Sequence, residues 1–212
     1  SDFNTDGVAL REALYIRGLA PRHPLDLLEA FRRDVTKLRY RDWDQLMDYC
    51  RYSASPVGRF VLDVHGEDDG LWLMNDALCS ALQVINHLQD CGKDRRDLDR
   101  VYLPLDALGE AGIGVEALDQ PAASHALRAV IAGLARRTMT LLEISRPFAR
   151  KVKDGRLALE IGVIQTLAED LGKGLMKRDP LSQTVHHSKL RMASLALGAM
   201  ARTALTRLGS RS

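Results

Sequence analysis

The most informative stretch of this 212-residue sequence is residues 81–94, ALQVINHLQDCGKD. Around it, apolar residues recur at the three- and four-residue spacing of a buried helical face: Leu78, Leu82, Ile85 and Leu88. This spacing predicts a helix over about residues 71–90. The helix is apolar for most of its length and carries polar and charged side chains at its C-terminal end.

The rest of the chain shows the same helical periodicity, and no segment of any length alternates like a strand. A helix is expected to open near Pro24, and Asp42 is expected to cap the next one. Pro56 predicts a kink or short break near Ser55. Ser124 is expected to cap a long helix that bends at Pro147.

Two further helices are expected over about residues 157–176 and 188–208. Residues 92–121, which are rich in Asp, Gly and Pro, are predicted to form a loop around a short turn of helix. Residues 1–212 are therefore interpreted as one all-α domain of about six helices around a single core.

The charge balance argues against a nucleic-acid partner. Thirty Lys and Arg residues face 28 Asp and Glu residues, which leaves a formal charge of +2 and no broad basic field. No apolar run approaches the ~18 residues of a membrane span, and the first residues lack the order of a signal peptide. A cytoplasmic protein is the expectation.

Three oxygen-bearing side chains, those of Asn86, Asp90 and Asp94, are four residues apart and stand in one row on a helix. Oxygen ligands suit Mg²⁺, which keeps several waters and is commonly completed by substrate phosphates. The row indicates a divalent-cation site that receives a diphosphate, with further positive charge supplied by Lys93, Arg95, Arg96 and Arg100.

The spacing taken alone has an ordinary explanation as well. Acidic residues four apart are common on solvated helix faces, where they pair with Lys or Arg. The same spacing occurs at Asp44 and Asp48 and at Asp2 and Asp6. Spacing by itself leaves both interpretations of the row open.

The wider context favours the cation site. Residues 81–94 are followed by RVYLP at residues 100–104, and residues 49–59 read YCRYSASPVGR. These blocks resemble the second aspartate-rich motif and the tyrosine helix of the squalene/phytoene synthase family, in matching order and separation. The SASPVG form is most similar to the bacterial branch that makes hydroxysqualene in hopanoid biosynthesis. The resemblance is specific over residues 40–104.

The resemblance implies catalytic roles for Tyr49, Asp90 and Asp94. Asp90 and Asp94 would bind Mg²⁺ together with Asn86, which would also contact the diphosphate. Tyr49 would act near the departing diphosphate and the carbocation, and its ring could stabilise a cation. Without the resemblance, Tyr49 would be interpreted as a core tyrosine with a satisfied hydroxyl.

Three further residues are expected to bind substrate. The resemblance places Gln83 on a substrate-contacting position, and the positive charge of Arg100 suits it to the diphosphate. Gly58 would leave room for an isoprenoid chain, although on its own it would be interpreted as a helix-packing glycine.

The resemblance further implies an isoprenoid-synthase-like helical bundle around a central cavity, with Mg²⁺ as cofactor and a prenyl diphosphate as substrate. In the most similar branch, presqualene diphosphate ionises and yields hydroxysqualene or a squalene-like product. Condensation of two farnesyl or geranylgeranyl diphosphates to presqualene diphosphate or phytoene is the close alternative. A non-catalytic relative, acting as an assembly or binding factor, is the alternative from another class.

One expected motif is missing from the sequence. The family carries an earlier aspartate motif on a helix well before the tyrosine helix, yet only 48 residues precede Tyr49. Neither Asp34 nor the pairs Asp2/Asp6 and Asp44/Asp48 match it. The expectation is that the N-terminal helices of a full family member are lacking. The sequence leaves the oligomeric state open. Association with the inner membrane surface is suggested only by the strongly apolar product.

Overall fold

The computed structural model describes residues 5–209, and the side chains of residues 5–207, as an assembly of α-helices. The helices are α1 (Thr5–Ile16), α2 (Arg22–Thr36), α3 (Trp43–Ser53), α4 (Ser55–Val64), α5 (Trp72–Gln89), α6 (Cys91–Leu98), α7 (Leu105–Glu110), α8 (His125–Ser145), α9 (Phe148–Lys151), α10 (Gly155–Leu175) and α11 (Lys189–Gly209). Within these residues the only β pairing is a bridge between Arg39 and Val101. The prediction of a single all-α domain is confirmed.

Helix α5 is the central element, and it packs against α8, α4 and α10. Its position follows from its sequence, because apolar side chains occupy most of its circumference and must be covered on several sides. Leu78, Ile85 and Leu88 are buried as predicted, and Leu82 is half-buried. The predicted boundaries differ from the observed ones by one residue at each end.

The predicted start of α3 and the break after it are both observed. Asp42 precedes the first residue of α3, and its Oδ1 accepts a hydrogen bond from the amide of Gln45 at 2.8 Å. Helix α3 ends at Ser53 and α4 begins at Ser55, with Pro56 in the first turn, where proline costs no hydrogen bond.

The prediction for residues 92–121 underestimated their helix content. The region holds most of α6, all of α7 and a 3₁₀ turn over Val115–Asp119. Gly92 was interpreted as a loop residue, but it lies in α6, where a Cβ would come within 2.6 Å of Leu181 Cδ2. This glycine permits close packing inside a helix.

Three other differences are smaller. Helix α1 was not predicted from the sequence. Helix α8 does not bend at Pro147; it ends at Ser145, and α9 follows as a separate turn, because proline cannot continue the helical hydrogen bonding. Helix α2 carries an apolar stripe of Leu28, Phe31 and Val35. This stripe is largely solvent-exposed, with Phe31 at 60% and Val35 at 79% of full exposure. None of the helices within residues 5–209 is long and apolar enough to cross a bilayer.

Candidate active site

Asn86, Asp90 and Asp94 stand at the junction between α5 and α6. Asp90 separates the two helices, yet its amide donates to the Asn86 carbonyl at 2.9 Å. The Asp94 amide in turn donates to the Asp90 carbonyl at 2.8 Å. This hydrogen-bond ladder crosses the junction and keeps the three residues in the predicted row. Asn86 is exposed, and the two aspartates are half-buried.

The two carboxylates of the row repel one another. Burial, followed by the charge of Asp90, raises the pKa of Asp94, while Lys93 and Arg100 act in the opposite direction. A pair of carboxylates held together at this energetic cost would be stabilised by a divalent cation. The oxygen-only donor set and the partial exposure of the row therefore fit Mg²⁺.

The row offers two carboxylates and one amide rather than a complete cage. Among the described residues, no group of three or more His, Cys, Asp or Glu side chains converges to hold a metal ion. Mg²⁺ is commonly held by one or two carboxylates, waters and substrate phosphates, so the row suits binding completed by a diphosphate. Asp6 lies in α1 and Asp2 lies outside the described residues.

Tyr49 lies in a buried aromatic cluster formed by Tyr40, Tyr49, His87 and Tyr102. The ring of Tyr49 is 5.3 Å from that of Tyr40 and 5.7 Å from that of Tyr102. His87 stacks on Tyr102 with ring centroids 3.5 Å apart. The cluster forms because residues 38–41 run beside residues 101–105, where the Leu105 amide donates to the Tyr40 carbonyl at 2.9 Å.

A backbone hydrogen bond joins the aspartate row to the segment that carries Tyr102. The Arg100 amide donates to the Asp94 carbonyl at 3.1 Å, and the ring of Tyr102, two residues after Arg100, lies 5.7 Å from that of Tyr49. The charge of Asp94 acts on both Arg100 and Tyr102. Burial, reinforced by Tyr102 and Asp34, raises the pKa of Tyr49 far above its usual value, so this phenol is neutral at physiological pH. The structure thus places Tyr49, Arg100 and Asp94 close to one another.

Gln83 reaches the same cluster from one turn before His87. Its Nε2 lies 3.1 Å from His87 Nε2, and burial lowers the pKa of His87 to about 3. The ring is therefore neutral at physiological pH and can accept a hydrogen bond from the Gln83 amide. This contact orients Gln83, while its predicted contact with substrate stays a prediction.

Gly58 is explained by helix packing. A Cβ at this position would overlap Asn75 Oδ1 and lie 2.7 Å from Cys79 Sγ, so only glycine lets α4 approach α5 this closely. The predicted role of Gly58 beside an isoprenoid chain stays a prediction. A cavity of about 610 Å³ lies between α8, α10 and α11, and its lining includes none of the predicted site residues.

Four neighbours of Tyr49 had been given no role from the sequence: Asp34, Tyr40, His87 and Tyr102. Tyr102 stands inside the RVYLP block, so the motif contained a signal for it. Asp34 had been dismissed because it does not match the missing aspartate motif. Asp34 stands between Arg33 and Val35 near the end of α2, and this local pattern gave no signal for it.

Replacing Asp94 with asparagine is expected to stabilise the metal-free protein at pH 7. The pKa of Asp94 is higher in the folded state than in the unfolded state, where it is about 4. The folded state therefore loses stability as the pH rises from about 4 through the pKa of Asp94 in the folded state. Urea unfolding with EDTA present should give a higher midpoint for Asp94→Asn at pH 7 and an equal one below about pH 4. The exposed neighbour Asp97, changed to asparagine, is the control and should not show this difference.

Known proteins of one family resemble this chain over most of its length. The model of the squalene/phytoene synthase family matches residues 7–192. A hydroxysqualene synthase of Rhodopseudomonas palustris is 55% identical over 92% of this chain and 67% of its own length. Another, from Zymomonas mobilis, is 54% identical over 95% of this chain and 68% of its own length.

A solved structure gives the same result for the fold. The squalene synthase of Alicyclobacillus acidocaldarius superimposes with a TM-score of 0.73 at 36% identity, covering 79% of this chain and 63% of that one. The chain thus spans about two thirds of the length of these relatives. The resemblance seen in the two sequence blocks extends over most of the residues: the chain belongs to the squalene/phytoene synthase family.

Proposed function

We propose that this chain acts on a prenyl diphosphate with Mg²⁺ as cofactor, ionising presqualene diphosphate and yielding hydroxysqualene. The observation that carries the proposal is the closeness of the aspartate row to the aromatic cluster: the Arg100 amide donates to the Asp94 carbonyl at 3.1 Å, and the Tyr102 ring lies 5.7 Å from that of Tyr49. This arrangement places an oxygen-rich row suited to a diphosphate beside an aromatic cluster suited to a carbocation. Two relatives above 50% identity that are named hydroxysqualene synthases support the choice of product.

The aspartate row would bind the diphosphate end of the substrate. Asn86, Asp90 and Asp94 would hold Mg²⁺, which when bound supplies positive charge that stabilises the departing diphosphate. Lys93 lies in the first turn of α6, and Arg100 follows the end of α6. Both place positive charge near Asp94. These two residues attract and orient the diphosphate before its bond to carbon breaks.

The aromatic cluster would face the cation formed when that bond breaks. Tyr49 and Tyr102 provide π-faces and oxygen lone pairs, which attract a carbocation without reacting as charged nucleophiles. In the proposed reaction the C–O bond of presqualene diphosphate breaks with both electrons on the diphosphate. Water then adds to the rearranged cation and loses a proton, so the product carries a hydroxyl and no reductant is consumed.

The test is turnover by the purified protein, with its mass verified. It is incubated with presqualene diphosphate and separately with farnesyl diphosphate, each with and without Mg²⁺, and released diphosphate and lipid products are measured. Mg²⁺-dependent formation of hydroxysqualene from presqualene diphosphate is the expected result. Product from farnesyl diphosphate alone would support the condensation reaction instead. Absence of turnover with both would favour the non-catalytic interpretation.

A further inference from the structure

Helix α11 has one face that no other described element covers. The side towards α10 is packed, and Thr203 lies there against Gly162. The other side carries three leucines and three alanines that form the leucine face of α11: Leu190, Ala193, Leu197, Ala201, Ala204 and Leu205. The leucines share one side of the helix because they are seven and eight residues apart. They are 66% to 85% exposed, and contiguous exposed apolar surface of this kind marks an interaction site.

The leucine face is flanked by positive charge only. Helix α11 contains no Asp or Glu, and its charged residues are Lys189, Arg191, Arg202 and Arg207. Because successive residues are turned by about 100°, Lys189 lies on one flank of the leucine face and Arg202 on the other. Arg191 pairs with Asp170, whereas Arg202 Nη2 donates to the uncharged hydroxyl of Thr166 at 3.2 Å. Helix α11 therefore presents an apolar face bordered by cations.

The surface beside the Arg202 flank is also basic. Two neighbouring cavities open along α10 and α11, and five further cations line them: Arg146, Arg150, Lys173, Lys177 and Arg178. The two acidic residues in this lining, Glu169 and Asp170, each form an ion pair with an arginine. The excess of positive charge attracts anions to this side of the molecule.

The apolar stripe of α2 is exposed as well, but its charges differ. Helix α2 carries Asp26, Glu29 and Asp34 against three arginines, so it has no excess of positive charge from these residues. A negatively charged surface would attract α11 and would not attract α2. Charge therefore distinguishes the leucine face from the other exposed apolar stripe.

We propose that the leucine face of α11 docks the protein on a membrane surface that contains anionic phospholipids. An amphipathic helix with cations beside its apolar face lies in the plane of such a surface. The leucines enter the boundary between headgroups and acyl chains, and Lys189 and Arg202 reach the lipid phosphates. The proposal does not depend on the proposed function, because it uses no residue of the aspartate row or of the aromatic cluster.

Binding is measured by co-sedimentation of the protein with sucrose-loaded vesicles. One set of vesicles contains phosphatidylcholine alone, and the other contains equal parts of phosphatidylcholine and the anionic lipid phosphatidylglycerol. The protein should bind the mixed vesicles about tenfold more tightly, and added salt should reduce this difference because it screens the charges. Absence of binding to the mixed vesicles at low salt, or equal binding to both sets, would overturn the proposal.

Single variants test whether α11 is the part that binds. Leu197→Ser should lower the vesicle partition coefficient about tenfold, because the leucine side chain is no longer buried in lipid. Arg202→Gln should lower it about fivefold, and only with the mixed vesicles. The controls Val35→Ser and Arg32→Gln change similarly exposed residues of α2 and should leave it unchanged. Losses with the α2 variants equal to those with the α11 variants would contradict docking through α11.

All four substituted side chains are exposed, so the variants should unfold at the wild-type urea midpoint. Sedimentation velocity tests a second copy of the chain as the occupant of the leucine face. The oligomeric state should be the same for the wild type and for Leu197→Ser. A dimer that Leu197→Ser dissociates would assign the leucine face to a second copy and overturn the proposal.

Discussion

Asp90→Ala is expected to lower kcat/KM for presqualene diphosphate about a thousandfold, or roughly 4 kcal/mol of transition-state stabilisation. The change removes one of the two carboxylates of the row, so Mg²⁺ and the diphosphate lose a ligand that the neighbouring residues cannot replace. Stability should change by less than about 1 kcal/mol, because the half-buried Asp90 side chain supports little packing. Diphosphate release and urea unfolding measure the two effects.

Asp44→Ala is the matched control for this experiment. Asp44 and Asp48 repeat the four-residue spacing, but Asp44 is exposed in the first turn of α3. Its loss should leave turnover nearly unchanged, because Asp44 does not belong to the aspartate row at the junction of α5 and α6. Strong turnover by Asp90→Ala, or an equal loss with Asp44→Ala, would refute the assignment of the row.

Gly58→Ala is expected to destabilise the protein by about 2 kcal/mol, within the range for overpacked sites. The new Cβ would overlap Asn75 Oδ1 and press on Cys79 Sγ. Asn75 has little freedom to move, because it is buried and its Nδ2 donates to the Ser55 carbonyl at 3.2 Å. Helices α4 and α5 would have to separate, and α5 carries the aspartate row at its end. Urea or thermal unfolding measures this loss.

Gly109→Ala provides the comparison within the same chain. Gly109 is in α7, and nothing lies within 4 Å of a Cβ placed there, so alanine should stabilise the protein by about 0.5–1 kcal/mol. If Gly58→Ala left stability unchanged and lowered only turnover, the packing explanation would be wrong. The room that Gly58 was predicted to leave for an isoprenoid chain would then be the better explanation.

The helices and the aspartate row follow from local sequence. The ladder that joins Asn86, Asp90 and Asp94 uses hydrogen bonds between residues four apart, so spacing along the chain fixes the row. The cap at Asp42 and the break before Pro56 involve residues within a few positions of one another. For the same reason a motif of consecutive residues sufficed to indicate the family.

The helix content of residues 92–121 was the main local error, and it had a long-range cause. Gly92 is a packing glycine inside α6 rather than a loop residue, because Leu181, almost ninety residues later, occupies the space where a side chain would be. The exposure of the apolar stripe of α2 also depends on residues that are distant in the chain. Periodicity indicates which residues share a helix face, but only the packing of other elements decides whether that face is covered.

The surroundings of Tyr49 were decided by the tertiary structure alone. The sequence assigned a role to Tyr49, but Asp34, Tyr40 and Tyr102 come from separate segments that the parallel course of residues 38–41 and 101–105 brings together. The sequence by itself determined most of the long helices, the oxygen row and the family, because each rests on near neighbours in the chain. Only the tertiary structure decided which groups surround the tyrosine, because they meet through contacts between distant residues.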